Sequence, residues 1–161
     1  MGGHHEFHVS DEIQVALGLD AAVVALESAV VTHGLPHPAN LEAAERMASA
    51  VRRAGAVPAM VAVLEGRITV GVGPDALARL ADARGVKVAR RDLPVALARG
   101  ATGGTTVSAT LAVAHALGVR VQATGGIGGV HLGAERTWDV SADLDELTRR
   151  PLVLVASGTK A

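Results

Sequence analysis

Short runs of β-branched residues alternate along this chain with stretches whose apolar positions recur every three to four residues. Residues 23–26 read as a strand. Residues 40–54 read as a helix with Leu41, Ala44, Met47, Ala48 and Val51 at helical spacing, Asn40 as N-cap and Gly55 as the stop. A strand is expected over 57–64. The Glu65-Gly66 turn then leads into a second strand over 67–72, a pattern that allows a hairpin. A helix over 75–83, opened by Pro74 and stopped near Gly85, precedes a short strand at 86–89. The almost wholly apolar segment 106–117 predicts a helix ending at Gly118, followed by a buried strand over 119–123. Ser141 starts a helix that runs to Arg149 and is closed by Pro151, and 152–156 is again a continuous apolar strand.

Strands that are apolar nearly throughout require a sheet covered on both faces. The expected fold class is α/β, a mostly parallel sheet with helices on both faces. No internal repeat, linker or low-complexity tract interrupts the pattern, so residues 1–161 read as one α/β domain. The last nine residues, Val153 to Ala161, read as a strand entering a glycine loop with no helix after it. In open α/β sheets such loops are where ligands bind.

Composition narrows the function classes. Among 161 residues, 15 basic side chains balance 16 acidic ones, and 49% of positions are hydrophobic. That excludes a disordered tail and disfavours a polyanion binder, which carries a basic face. The two aromatic residues, Phe7 and Trp138, are too few for a base-stacking platform, so no nucleic-acid partner is expected. With no cysteine there is no disulfide, thiolate metal site or thiol nucleophile. Met1 to Glu6 lacks the basic and apolar regions of a signal peptide, and no run of eighteen apolar residues occurs. A soluble cytoplasmic protein without membrane contact is expected.

Five clusters carry candidate chemistry. Glu27, at the end of an apolar strand, is either a general acid whose pKa is raised by its surroundings or a solvated strand-end carboxylate. His33 and His37 are four apart, but Gly34 and Pro36 prevent the helix that would align them on a metal, and a structured loop is the better reading. Lys87, Arg90 and Arg91 surround a strand end and suit either a phosphate or solvent. The glycine runs 100–106 and 124–129 can bring backbone N–H groups to an anion, though neither has the P-loop or dinucleotide spacing. Asp139 and Asp143 are hard oxygen donors suited to Mg²⁺ or Mn²⁺, while Ser141 and Asp143 equally suit a helix N-cap and first turn. Lys160, in the final glycine loop, is either a desolvated neutral amine or a solvated terminal lysine.

Taken in order, Ala25-Leu26-Glu27-Ser28, Thr32-His33-Gly34-Leu35-Pro36, Arg90-Arg91-Asp92-Leu93-Pro94, Gly104-Thr105-Thr106-Val107, Ala123 to His131 and Asp139-Val140-Ser141-Ala142-Asp143-Leu144 resemble the pseudouridine-5′-phosphate glycosidase family, also called indigoidine synthase A-like. The resemblance runs from about Val23 to Lys160 and matches about the N-terminal half of that family. It implies cleavage of the C–C glycosidic bond of pseudouridine 5′-phosphate to uracil and ribose 5-phosphate. It also implies Mn²⁺ as cofactor and a homotrimer. Position by position, it makes Lys160 the nucleophile, Glu27 the proton donor and Asp139 the metal ligand. Lys87, the backbone around Val107, and Ser141, Ala142 and Asp143 become substrate contacts. The alternative reading is a non-catalytic sugar-phosphate-binding fragment, or half of a split enzyme.

Overall fold

The structure, a computed structural model, describes residues 7–82 and 85–160. Met1 to Glu6, Ala83 at the expected end of a helix, and Ala161 at the chain end lie outside them. The strands are β1 (Phe7–Val9), β2 (Val23–Leu26), β3 (Val57–Leu64), β4 (Arg67–Val70), β5 (Val86–Val88), β6 (Gly103–Thr105), β7 (Val121–Thr124) and β8 (Val153–Ala156). The helices are α1 (Asp11–Gly18), α2 (Ala39–Arg53), α3 (Pro74–Asp82), α4 (Leu93–Ala98), α5 (Val107–Ala116), α6 (Ala134–Thr137) and α7 (Ala142–Arg149). A π-helical turn at Val30–Gly34 and a 3-10 turn at Arg90–Asp92 complete the path.

Side chains alternate across a strand, and β3 shows what that does here. Ala59, Val61 and Val63 enter one apolar cluster together with Ile13 of α1, Leu93 and Ala96 of α4, and Ala109 and Val113 of α5. Met60 and Ala62 enter a second cluster with Ala44 of α2 and Leu77 and Leu80 of α3. The sheet is therefore covered on both faces, as the continuous apolar strands require. Its main path runs β1-β4-β3-β2-β7-β8, with β6 joining β3 and β5 joining β6. Pairing is parallel except where β3 meets β4 and β6. The expected hairpin is β3–β4, and both turn residues, Glu65 and Gly66, have positive φ (49° and 74°). That is the combination a two-residue hairpin loop of matching twist needs.

Two local expectations are corrected. Asn40 does not cap α2, which starts one residue earlier behind Pro38. Its buried side chain instead donates to the Val31 carbonyl at 2.8 Å, tying the helix to the π-helical turn. The glycine run 100–106 is not an open loop. Gly103 and Gly104 are buried strand residues of β6, and a Cβ on Gly103 would strike the Val86 carbonyl while one on Gly104 would strike the Thr32 hydroxyl. Their glycines serve strand packing. Ser28 and Thr105 seal the junction where β2 gives way to β6. Each donates its hydroxyl to the Val61 carbonyl at 2.6 Å, and the Thr105 N–H donates to Ser28 Oγ at 3.0 Å. No helix among the described residues is long and apolar enough to cross a membrane.

Candidate active site

Parallel strands end on one side of a sheet, so the segments that leave β2, β7 and β8 emerge together. Glu27 follows β2, the run Gly125 to Gly129 follows β7, and Lys160 follows β8. The last two segments extend the strand pairing. Ile127 donates its N–H to the Gly158 carbonyl at 3.1 Å, and the Lys160 N–H donates to the Ile127 carbonyl at 2.7 Å. The Lys160 backbone is thereby fixed against the glycine turn, while its side chain stays exposed at the mouth of a cleft.

That cleft has a volume of about 310 Å³, room for a small ligand. Lys87, Asp139, Ser141, Ala142, Asp143 and Lys160 all line it. Of the eight residues to which the resemblance gives a role, it therefore brings together six, and Arg91 of the basic cluster joins them. Val107 is fully buried as the first residue of α5, and the wall there is made by its neighbours Thr106 and Ser108. Glu27 is not in the wall either. It lies buried beneath it, 6% exposed, with Thr124 Oγ1 donating to its Oε1 at 2.6 Å. Burial pushes the Glu27 carboxyl above the usual carboxylate range and the Asp143 charge adds to this, against the Thr124 hydrogen bond and the Lys160 and Lys87 charges. His33 and His37 are not part of the cleft wall; His33 is an exposed ring bonded to the Thr32 hydroxyl at 2.7 Å.

Asp143 does more than a first-turn residue of α7 needs to do. Its Oδ1 accepts the Ser108 N–H at 2.9 Å and its Oδ2 accepts the Gly128 N–H at 2.9 Å. One buried carboxylate thus clamps the start of α5 to the glycine turn. A Cβ on Gly128 would strike Ser141, so this close approach requires glycine. Ser141 caps α7, accepting the Asp143 N–H at 3.2 Å, as the sequence implies. One turn further, buried Glu146 accepts from Arg150 at 3.0 Å and lies 3.8 Å from Arg90. Both carboxylates lie on the buried side of α7, a role that a run of alternating charges did not reveal.

Sequence reasoning also passed over a simple signal. The chain has only two lysines, Lys87 and Lys160, and both line this one cleft. Arg91, His131, Thr106 and Ser108 join them in the wall. As for a metal, no three His, Asp or Glu side chains gather into a cage among the described residues. The Asp139 carboxylate is exposed in the wall and takes no hydrogen bond among those residues, whereas both oxygens of Asp143 are committed to amides. Asp139 is thus the wall carboxylate left uncommitted, the one that would hold a hard divalent ion if that ion kept most of its water.

The family model described as "Indigoidine synthase A like protein" matches residues 12–161. A pseudouridine-5′-phosphate glycosidase of Methylobacterium nodulans is 54% identical over 159 residues, covering 98% of this chain and 47% of its own length. One from Roseiflexus sp. (strain RS-1) is 54% identical over 157 residues, covering 95% of this chain and 50% of its own. The prealnumycin C-glycosynthase AlnA, solved in complex with ribulose 5-phosphate, superposes with a TM-score of 0.88 at 39% identity and covers 98% of this chain and 51% of its own. An indigoidine synthase A-like protein of Thermotoga maritima superposes with a TM-score of 0.87 at 34% identity, covering 99% and 52%. The chain spans about half the length of the relatives it matches.

Proposed function

This chain belongs to the indigoidine synthase A-like family, and on that premise we propose that it carries the chemistry of a pseudouridine-5′-phosphate glycosidase. The observation that supports this most is the meeting of both lysines of the chain with Asp139 in one cleft, above the buried Glu27. The C–C bond of pseudouridine has no basic atom to protonate, so the two-carboxylate route of ordinary glycosidases does not serve. An amine route does. Lys160, as the free amine, attacks C1′; the C1′–O4′ bond breaks and O4′ takes the Glu27 proton, opening the ring. The alkylated nitrogen gives a proton to the Glu27 carboxylate; its freed lone pair then forms C=N at C1′ while the bond to the base breaks, and the base carbon that receives the electron pair takes the Glu27 proton, giving uracil. Water hydrolyses the imine, releasing ribose 5-phosphate and regenerating Lys160.

Each residue type has a task in this scheme. Glu27 must hold a proton near neutrality, and its burial acts in that direction. Lys87 and Arg91 offer cations to the 5′-phosphate, with Ser141, Ala142, Asp143 and the residues on either side of Val107, Thr106 and Ser108, shaping the sugar site. A divalent ion, Mn²⁺ on the family resemblance, would be held by Asp139. It would supply a positive charge that steadies the departing base. The same reading takes the working form to be a cytoplasmic homotrimer, which sedimentation of the purified chain tests for assembly.

The test is direct. Pseudouridine 5′-phosphate with Mn²⁺ is incubated with the chain and uracil is measured by chromatography. Uracil appears with the wild type and not with Lys160→Ala. Calorimetric binding of ribose 5-phosphate without any uracil release would instead select the non-catalytic sugar-phosphate binder.

A further inference from the structure

Leu26 of β2 pairs with Ala123 of β7, so the next residues, Glu27 and Thr124, meet across the seam between these strands. Both are buried. The Thr124 hydroxyl donates to Glu27 Oε1 at 2.6 Å, at the short end of O–H···O distances. Its single proton is committed there, so toward the Gly126 N–H, 3.4 Å away, the same oxygen acts as acceptor. Gly126 lies against the Lys160 side chain. A Cβ built on it would rest 3.5 Å from Lys160 Cγ and 3.8 Å from Cε.

We propose that Thr124 is a positioning residue: its hydroxyl fixes Glu27 Oε1 as a hydrogen-bond acceptor, leaves the acid proton on Oε2, and couples that carboxyl to the turn packed on Lys160. Only the use of that proton on the sugar rests on the proposed function; the arrangement itself does not. A donor aimed at Oε1 favours the ionised carboxyl. It works with Lys160 from the turn after β8 and Lys87 from β5, and against burial and Asp143 of α7. Thr124 thereby keeps a buried acid able to release its proton.

Titration of the Glu27 carboxyl by ¹³C NMR in the full chain tests this, comparing wild type, Thr124→Val and Thr124→Ser. The midpoint moves up in Thr124→Val and stays with wild type in Thr124→Ser. The infrared C=O band of neutral Glu27 moves to higher frequency in the valine variant, because the carbonyl has lost its donor. An unchanged midpoint and band in a folded Thr124→Val overturn the proposal, as does an equal shift in the serine variant. Thr124→Ala is read the same way should valine prevent folding. Uracil release from the same samples separates the two readings. The expected shift in Thr124→Val beside a wild type that releases no uracil contradicts the function and leaves Thr124 in its role.

Discussion

Under the proposed function Glu27 has to meet two demands that conflict in most proteins, a carboxyl away from water and a proton it can give up. Its folded-state pKa lies above the ordinary value of 4.5, with burial as the main cause. Wherever the folded state holds a proton that the unfolded state has lost, stability falls as pH rises. The contribution of Glu27 is present in full below about 4.5 and is lost as pH rises through its raised folded value. Glu27→Gln keeps the shape and an acceptor for Thr124 but cannot ionise. Its melting temperature, relative to wild type, should climb as the buffer pH is raised from about 4.5 to the raised folded value, and level off above it. A difference independent of pH would mean that Glu27 is not desolvated in solution. At this scale the sequence was legible for residue identity and silent on partners. Glu27 and Lys160 were named from motif and strand position, with two readings each. Thr124 and the double acceptor role of Asp143 were invisible, because each depends on residues 15 to 97 positions apart that only the folded chain brings together.

Elements were easiest to read where burial is two-sided. The apolar run of β3, the hairpin at Glu65-Gly66 and the Ser141 cap of α7 all appear within a residue or two of their expected places. α1, α4 and β6 were not anticipated. α1 buries only Ile13 and Ala16, too few for a periodic signal, and β6 holds two glycines, which intrinsic propensity places in loops. What makes β6 a strand is the lack of space beside it. Gly104→Ala should cost about 1–3 kcal/mol in chemical denaturation, the usual range for overpacking a filled site. Ser141→Ala should cost about 1 kcal/mol through loss of the α7 cap. It would also loosen the Asp143 clamp, so ribose 5-phosphate binding by calorimetry should weaken with it.

Across the whole molecule, the apolar sheet is well covered over β2 and β3 and poorly covered at its β8 edge. Val153 and Val155 share one face of β8 and are 61% and 57% exposed. The outer backbone edge of β8 has no neighbouring strand among the described residues. An open apolar edge strand promotes association. The double variant Val153→Lys, Val155→Lys should therefore stay in solution at concentrations where the wild-type chain scatters light, with little loss of melting temperature. An unchanged scattering threshold would show that β8 is not the sticky edge.

The central claim is that the Lys160 amine bonds to the anomeric carbon of a sugar phosphate. With lysine at only two positions, borohydride reduction of the chain in ribose 5-phosphate followed by peptide mass mapping reads this out directly. A reduced pentose phosphate adduct on the peptide containing Lys160, absent from the Lys160→Ala variant, is the expected result. An adduct on Lys87 instead, or none on either lysine, would contradict it.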